Sequence, residues 1–212
     1  MRHMRYRVRD ALARLKTKYL SDVVFVHINK TGGSSVEAAL GLPFQHRTAL
    51  ELHELMGARR WADRLSFTFV RNPWEKVASH YHYRVKTNQT GLGDHPIGFN
   101  EWVALAYGER DSRYYDQPRM FMPQMDWITD DTGEVMVDFV GRFERLHDDF
   151  EFVCRRIGRS ARLPHLKRSH DEDYRRLYSA ESIGIVRDRF AIDIEAFGYV
   201  FERPILAMGG AR

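Results

Sequence analysis

The stretch at residues 22–40, which reads DVVFVHINKTGGSSVEAAL, constrains the fold of this chain more than any other segment. Residues 23–28 are a nearly continuous apolar run, typical of a strand that is covered on both faces in an α/β sheet. The Gly-Gly pair at 32–33 permits a tight turn, and we expect Ser34 or Ser35 to cap the helix that follows. The stretch therefore predicts a strand, a loop and a helix in close succession.

A loop of this kind predicts an anion-binding site. Backbone N–H groups at the start of a helix attract negative charge, and Lys30 and the hydroxyls of Thr31, Ser34 and Ser35 would add further donors. A Walker-type nucleotide loop places its lysine after the glycines, whereas Lys30 precedes Gly32. The order disfavours an ATP or GTP hydrolase and a nucleotide kinase, and leaves a phosphate or sulfate cradle as the first hypothesis.

A second strand signal lies at residues 65–70, LSFTFV, and ends at Arg71-Asn72-Pro73, where the proline suits the first turn of a helix. Further strands are expected at 124–129 and 135–143. Alternation of strands with helices predicts an α/β fold, a single domain with a central, mostly parallel sheet flanked by helices. The ligand crevice of such a sheet lies at the carboxyl ends of its strands, where Lys30 and Arg71 both fall.

Length and composition bound the organisation of the chain. Its 212 residues, 43% of them hydrophobic, fit one domain at 21–203, preceded by a helix at 1–20 and followed by a loose tail at 204–212. The net charge of +4 suits an anionic ligand but is too small to indicate a nucleic-acid binder. With one cysteine, Cys154, and no apolar run of membrane-spanning length, we expect a cytoplasmic protein.

Residues 1–20 place apolar side chains at helical spacing among many arginines and lysines, which predicts a basic amphipathic helix. Two interpretations are open. The helix packs its apolar side on the domain and leaves a basic face in solvent, which we favour because most helices bury one face. Alternatively, it contacts an anionic membrane surface or a polyanionic acceptor.

The two predicted strand ends carry a resemblance to a known family. The segments VFVHINKTGGSS and FTFVRNPWEKVASHY resemble the two cofactor signatures of sulfotransferases that use 3′-phosphoadenosine 5′-phosphosulfate (PAPS). The chain is most similar to the carbohydrate sulfotransferases of the heparan-sulfate and Golgi type, and LPHLKRS and DIEAFGYVF extend the likeness towards the C-terminus. The resemblance implies a P-loop-like fold, PAPS binding with no required metal, and transfer of a sulfuryl group to a hydroxyl or amine.

The same resemblance assigns cofactor roles to individual residues. The matching phosphosulfate loop consists of Lys30, Thr31, Gly32, Gly33, Ser34 and Ser35. Arg71 and Ser79 match the pair that binds the 3′-phosphate, and the arginine can make a charge-assisted, bidentate contact. Lys167 and Ser169 resemble a later segment that closes over the nucleotide. Asn29 departs from the pattern, since relatives commonly have proline there.

The reaction itself needs a base for the acceptor hydroxyl and a cation for the leaving phosphate oxygen. Lys30 suits the second task. Histidine, with an ordinary pKa of about 6.5, suits the first, and His46 matches the place where related carbohydrate enzymes carry their catalytic histidine. His53, seven positions later, is the reserve candidate for the base and for an acceptor contact. Gln124 is a further candidate for contact with the acceptor.

The sequence leaves three functions to be compared. The first is transfer of a sulfuryl group from PAPS to a glycan or another polyhydroxyl acceptor, and the second is non-catalytic binding of a nucleotide or polyanion. The third, a nucleotide kinase, would require Mg²⁺ and is weakened by the missing Walker order. The sequence indicates neither the acceptor nor the oligomeric state.

Overall fold

The computed structural model describes residues 10–164 and 173–201. The described chain divides into two compact units. The first unit holds residues 10–71 and 117–164, and the second holds residues 72–116 and 173–201. The predicted tail at 204–212 lies outside the described residues.

The strands of the described chain are β1 (Val23–Val26), β2 (Leu65–Val70) and β3 (Phe139–Arg142). The helices are α1 (10–15, continued by a π-helical turn over Lys16–Leu20), α2 (Gly33–Leu40), α3 (Ala49–Met56), α4 (Ala58–Ala62), α5 (Pro73–Lys86), α6 (Phe99–Val103, continued by a π-helical turn over Ala104–Glu109), α7 (Leu146–Arg156), α8 (Ala180–Arg189) and α9 (Ala191–Phe197). Short 3₁₀ turns cover Gln89–Gly91, Pro118–Phe121, Met125–Trp127, Phe143–Arg145 and Tyr174–Leu177.

The three strands form one parallel sheet in the order β1-β2-β3. Val26 of β1 pairs with Thr68 of β2, and Val70 pairs with Arg142 of β3, so the carboxyl ends of the strands share one edge. All four residues of β1 are buried, which explains its continuous apolar sequence. The predicted α/β class, with a parallel sheet flanked by helices, is confirmed.

One face of the sheet carries the main hydrophobic core of the first unit. Alternate residues of β1 and β2 point to this face, where they meet α2 and α7. Cys154 of α7 is buried there and 4% exposed. The core consists of Val23, Phe25, Val36, Leu40, Phe67, Phe69, Phe150, Val153 and Cys154.

The strand expected at residues 124–129 is wrong, and the one expected at 135–143 is shorter than predicted. Residues 125–127 form a 3₁₀ turn, and only an isolated antiparallel bridge joins Thr129 to Val135. The Asp130 side chain accepts hydrogen bonds from the backbone N–H groups of Thr132 and Glu134. These local hydrogen bonds form a tight turn at residues 130–134, in place of the backbone hydrogen bonds that would pair two strands in a hairpin.

The N-terminal helix is held to the first unit by its polar side. Thr17 is buried and its hydroxyl accepts a hydrogen bond from Gln45, while Arg64 donates to the carbonyl of Thr17. Leu12 and Leu15 are 60% and 55% exposed. The favoured interpretation, in which the apolar stripe packs on the domain, is therefore wrong for residues 10–20.

The second unit is built on α5, α6 and α8. Pro73 occupies the first turn of α5 as predicted, and the Asn72 side chain caps that helix by accepting from the N–H of Trp74. The Trp74 indole donates to the carbonyl of Ile183 in α8, and the Tyr178 hydroxyl donates to the carbonyl of Trp74. These bonds fix α5 within its unit.

Candidate functional site

The loop between β1 and α2 has the backbone conformation that its glycines permit. Gly32, at φ +85°, is the N-cap of α2, and a Cβ atom there would lie 2.7 Å from Leu146 Cδ2. A Cβ atom on Gly33 would overlap the ring of His27. The expectation that Ser34 or Ser35 caps α2 is wrong, because the left-handed turn at Gly32 starts the helix before either serine is reached.

The loop presents groups suited to an anion at the start of an eight-residue helix. Ser35 is 1% exposed, and its Oγ atom has no hydrogen-bond partner among the residues that the structure describes. The Thr31 hydroxyl instead donates to the carbonyl of Ile28, which braces the turn. A phosphate or sulfate oxygen would supply the acceptor that Ser35 lacks, so this loop fits the phosphosulfate group of PAPS.

Arg71 and the loop meet at the carboxyl edge of the sheet, as predicted. The Arg71 guanidinium donates to the carbonyl of Lys30 at 3.0 Å and lies 4.0 Å from the centre of the Phe143 ring. The Gln124 side chain accepts from the Arg71 N–H at 2.8 Å and donates to the Arg71 carbonyl at 2.9 Å. These contacts make Gln124 a support for Arg71, and its contact with an acceptor stays a prediction.

The other residues assigned to the nucleotide are Ser79, Lys167 and Ser169, and none of them belongs to the described part of the first unit. Ser79 lies on α5 in the second unit and is 8% exposed. Lys167 and Ser169 fall outside the described residues. Their roles stay predictions.

His46 lies beside the loop, ahead of α3. Its Nδ1 atom is 2.9 Å from the carbonyl oxygen of His27, and its ring centre is 4.3 Å from that of the His27 ring. A carbonyl oxygen can only accept, so Nδ1 carries the proton and the lone pair of the neutral ring is on Nε2. Burial lowers the pKa of His46 to about 4, and the nearby His27 acts in the same direction.

Glu37 of α2 is buried against the same two histidines. Its Oε1 atom is 2.9 Å from His27 Nδ1 and accepts a hydrogen bond from the N–H of Gln45 at 3.1 Å. Burial raises the pKa of Glu37 to about 7. Burial also lowers the pKa of His27 to about 4, with Lys30 contributing in the same direction.

Arg119 fixes the backbone of His46. Its guanidinium donates to the His46 carbonyl at 2.7 Å and pairs with both carboxylate oxygens of Glu51, at 3.0 and 2.6 Å. Glu51 also completes a capping box with Thr48 at the start of α3. A chain of hydrogen bonds thus connects the α3 cap to the segment that carries His46.

The structure separates the two candidate bases. His53 lies in the last turn of α3, and its ring centre is 5.6 Å from that of Trp61. His46 is in the irregular segment before the Thr48 cap, so the two histidines do not share a helical face. Only His46 makes a described contact with the residues that lead into the loop.

Glu37, Arg119 and Glu51 were missed by the sequence reasoning. The Thr48-x-x-Glu51 spacing is a capping-box signal and could have marked the start of α3. Arg119 had no such signal, because it lies 73 residues from the carbonyl it binds. Glu37 had none either, because its partners His27 and Gln45 lie on the segments before and after α2, outside any helical spacing.

No group of three or more His, Cys, Asp and Glu side chains placed to hold a metal ion is found among residues 10–164 and 173–201. In the same ranges no helix is long and apolar enough to cross a membrane.

One of the comparisons with known proteins identifies a family. The chain is 28% identical over 126 residues to an uncharacterized protein of Archaeoglobus fulgidus, an alignment that covers 58% of this chain and 92% of the relative. No solved structure matches the chain significantly. The sequence model of the sulfotransferase family matches residues 15–200, a span that includes the anion loop, Arg71 and His46. By that match the chain belongs to the sulfotransferase family.

Proposed function

We propose that this member of the sulfotransferase family transfers a sulfuryl group from PAPS to a hydroxyl of a carbohydrate-like molecule, with His46 as the general base. Family membership supports sulfuryl transfer as the reaction class. The observation that carries this proposal is the hydrogen bond from His46 Nδ1 to the His27 carbonyl, at the point where β1 enters the loop. That bond leaves the basic nitrogen, Nε2, available for the acceptor proton.

The loop residues would hold the phosphosulfate of the donor. Bound PAPS supplies the sulfuryl group and a phosphate leaving group. The backbone N–H groups at the start of α2 and the Ser35 hydroxyl hold the anion, and the Lys30 ammonium stabilises the negative charge that grows on the phosphate oxygen. Arg71, supported by Gln124, contacts the 3′-phosphate.

His46 would remove the acceptor proton during in-line attack. The acceptor oxygen forms a bond to sulfur while the bond between sulfur and the bridging phosphate oxygen breaks, and the proton passes to His46 Nε2. A pKa lowered to about 4 keeps the imidazole neutral, and so able to act as a base, at neutral pH. Because the ring is already fixed by His27, little reorganisation is needed in the reaction.

The donor assignment is tested by nucleotide binding. Calorimetry should show tighter binding of 3′,5′-adenosine bisphosphate than of 5′-AMP by about tenfold to a hundredfold, the value of a charge-assisted contact to the 3′-phosphate. Arg71→Ala should abolish this preference. Arg155→Ala is the matched control, since Arg155 is exposed on α7 and pairs only locally with Glu151. Equal affinity of the wild type for both nucleotides would rule out the proposed 3′-phosphate site.

The alternative, a non-catalytic binder of nucleotides or polyanions, predicts the same nucleotide preference. It differs in turnover, because a binder would release no sulfated product. The placement of His46 beside the loop favours the enzyme, since a binding protein has no need of a histidine held in one tautomer there.

A further inference from the structure

Three titratable side chains, His27, Glu37 and His46, lie together between the anion loop and α3. The side chains of His27 and Glu37 are 4% and 5% exposed. The centre of the His27 ring is 4.3 Å from that of the His46 ring, and the two ring planes are tilted by 47°. A buried carboxyl group is unexpected on α2, because the start of this helix is suited to a polyanion and burial of a negative charge is costly. The proposed binding of PAPS gives Glu37 no task.

Glu37 contacts the surroundings of His46 on two sides. Its Oε1 atom lies 2.9 Å from Nδ1 of His27, whose imidazole packs beside His46. The same oxygen accepts from the N–H of Gln45, the residue that precedes His46 in the chain. One carboxyl group therefore contacts both the ring beside the proposed base and the backbone that carries it.

We propose that Glu37 and His27 form a positioning pair that holds His46 in its Nδ1–H tautomer and stabilises the imidazolium formed when Nε2 takes the acceptor proton. The inference rests on the proposed role of His46 as the base. His27 contributes its carbonyl oxygen as the acceptor and its ring as the packing surface, while Glu37 contributes negative charge. Neither residue contacts the reacting atoms, and no covalent bond to either is made.

Several charged or titratable groups act on this pair, and their balance sets the pH response. Burial lowers the pKa of His46 most, the charges of the His27 ring and Arg119 lower it further, and the His27 carbonyl and Glu37 raise it. Two further charged groups act on the cluster from neighbouring segments, Lys30 of the loop on His27 and Arg119 of the Pro118–Phe121 turn on His46. Because burial places the pKa of Glu37 at about 7, its negative charge, and its support of His46, grow as the pH rises through that value.

The proposal is tested by histidine NMR on the full chain labelled with ¹⁵N-histidine, with His46→Ala used to assign the signal. In the wild type, His46 should show a protonated Nδ1 and an unprotonated Nε2 at neutral pH. Glu37→Gln removes the negative charge that Glu37 gains as the pH rises through about 7, and should mix the His46 tautomers above that pH. Glu54→Gln, an exposed carboxyl on α3, should change neither reading.

The activity readout is the pH profile of kcat for transfer from PAPS to a panel of a glucan, a chitosan and a uronic-acid polysaccharide. Wild type should show an inflection near pH 7 that is missing in Glu37→Gln, with the affinity for 3′,5′-adenosine bisphosphate unchanged. Glu37→Asp should restore part of the inflection, which a purely structural role would not predict. If Glu37→Gln fails to fold, His27→Gln, which keeps the backbone carbonyl and removes only the imidazole, is measured in the same way and should raise the His46 pKa, because the charge of the His27 ring lowers it.

The two proposals fail in distinguishable ways. Unchanged His46 tautomers in Glu37→Gln or, where that variant does not fold, an unchanged His46 titration in His27→Gln would overturn the positioning pair, whatever the activity of these variants. Full activity of His46→Ala would instead remove His46 as the base, even if NMR showed the coupling to Glu37.

Discussion

At the scale of residues, the site is defined by side chains whose hydrogen-bonding groups are committed before any ligand binds. His46 donates from Nδ1 and Arg71 is held at both its backbone N–H and its carbonyl, whereas the buried Ser35 hydroxyl has no partner among the described residues. Such commitment of His46 and Arg71 would reduce the entropy lost when the proposed nucleotide and acceptor are positioned. Residue types and spacing pointed to Lys30 and Arg71, and the resemblance to known sulfotransferases pointed to His46; the roles of all three stay predictions.

The support of Arg71 by Gln124 gives a prediction at this scale. Gln124→Leu removes two hydrogen bonds to the Arg71 backbone and leaves buried polar groups unpaired. We expect a loss of about 1–3 kcal/mol in the free energy of unfolding and an affinity for 3′,5′-adenosine bisphosphate weakened about tenfold. Urea unfolding and calorimetry measure the two effects, with Gln89→Leu in the second unit as control. An unchanged nucleotide affinity in Gln124→Leu would show that Arg71 does not depend on this clamp.

The supporting residues could not be predicted from the sequence. Gln124 is 53 residues from Arg71, and the partners of Glu37 and Arg119 become neighbours only when the loop, α2 and the Pro118–Phe121 turn are packed. Motif and periodicity arguments report on local structure, so they identify groups with recognisable chemistry and miss those that act by holding other groups.

At the scale of elements, β1 and β2 were predictable because each is a short apolar run ended by a turn signal. The segment at 124–129 has a similar composition, yet it forms a 3₁₀ turn, since the Gln124 side chain is committed to Arg71 and Asp130 closes the next turn. Side-chain bonds to the backbone decided this outcome, and composition alone does not report them.

The N-terminal helix leads to a prediction about membranes. Leu12, Leu15 and Tyr19 are 60%, 55% and 55% exposed, and Lys18 and Arg60 approach the Tyr19 ring. An exposed apolar stripe with flanking cations is suited to an anionic lipid surface. The protein should therefore sediment with vesicles that contain phosphatidylserine and much less with pure phosphatidylcholine vesicles.

Leu15→Asp tests this contact. The substitution places a negative charge in the exposed stripe and should reduce vesicle binding severalfold without a change in unfolding temperature. Val135→Asp, at a 47% exposed position outside the helix, is the matched control. Equal sedimentation of Leu15→Asp and wild type would exclude the stripe as the membrane contact.

At the scale of the whole molecule, the buried titratable cluster makes stability depend on pH. His27 and His46 have pKa values lowered from 6.5 to about 4, so between these values the unfolded chain binds more protons and stability falls as the pH falls. Glu37, with a pKa raised from 4.5 to about 7, acts in the opposite direction over nearly the same range. The two histidines and the one carboxyl group act in opposite directions, so the unfolded chain binds about one proton more than the folded chain in this pH range.

We therefore expect the free energy of unfolding to fall by about 1.4 kcal/mol for each pH unit between pH 6.5 and 4.5, the value for one proton. Denaturant unfolding at a series of pH values measures the slope. Glu37→Gln removes the opposing group and should steepen the dependence, whereas Glu54→Gln should leave it unchanged. A wild-type free energy of unfolding that does not change with pH in this range would contradict the pKa shifts of these three buried groups.

The family and the reaction class follow from the match over residues 15–200, and the geometry adds the proposal that His46 is the base beside the anion loop. The most direct test is transfer of ³⁵S-labelled sulfate from PAPS to the polysaccharide panel by wild type, His46→Ala and His147→Ala, the last at an exposed position on α7. We predict labelled product with wild type and His147→Ala, and a loss of about 10²–10⁴-fold with His46→Ala, with 3′,5′-adenosine bisphosphate binding retained. Equal transfer by His46→Ala and wild type would contradict the account.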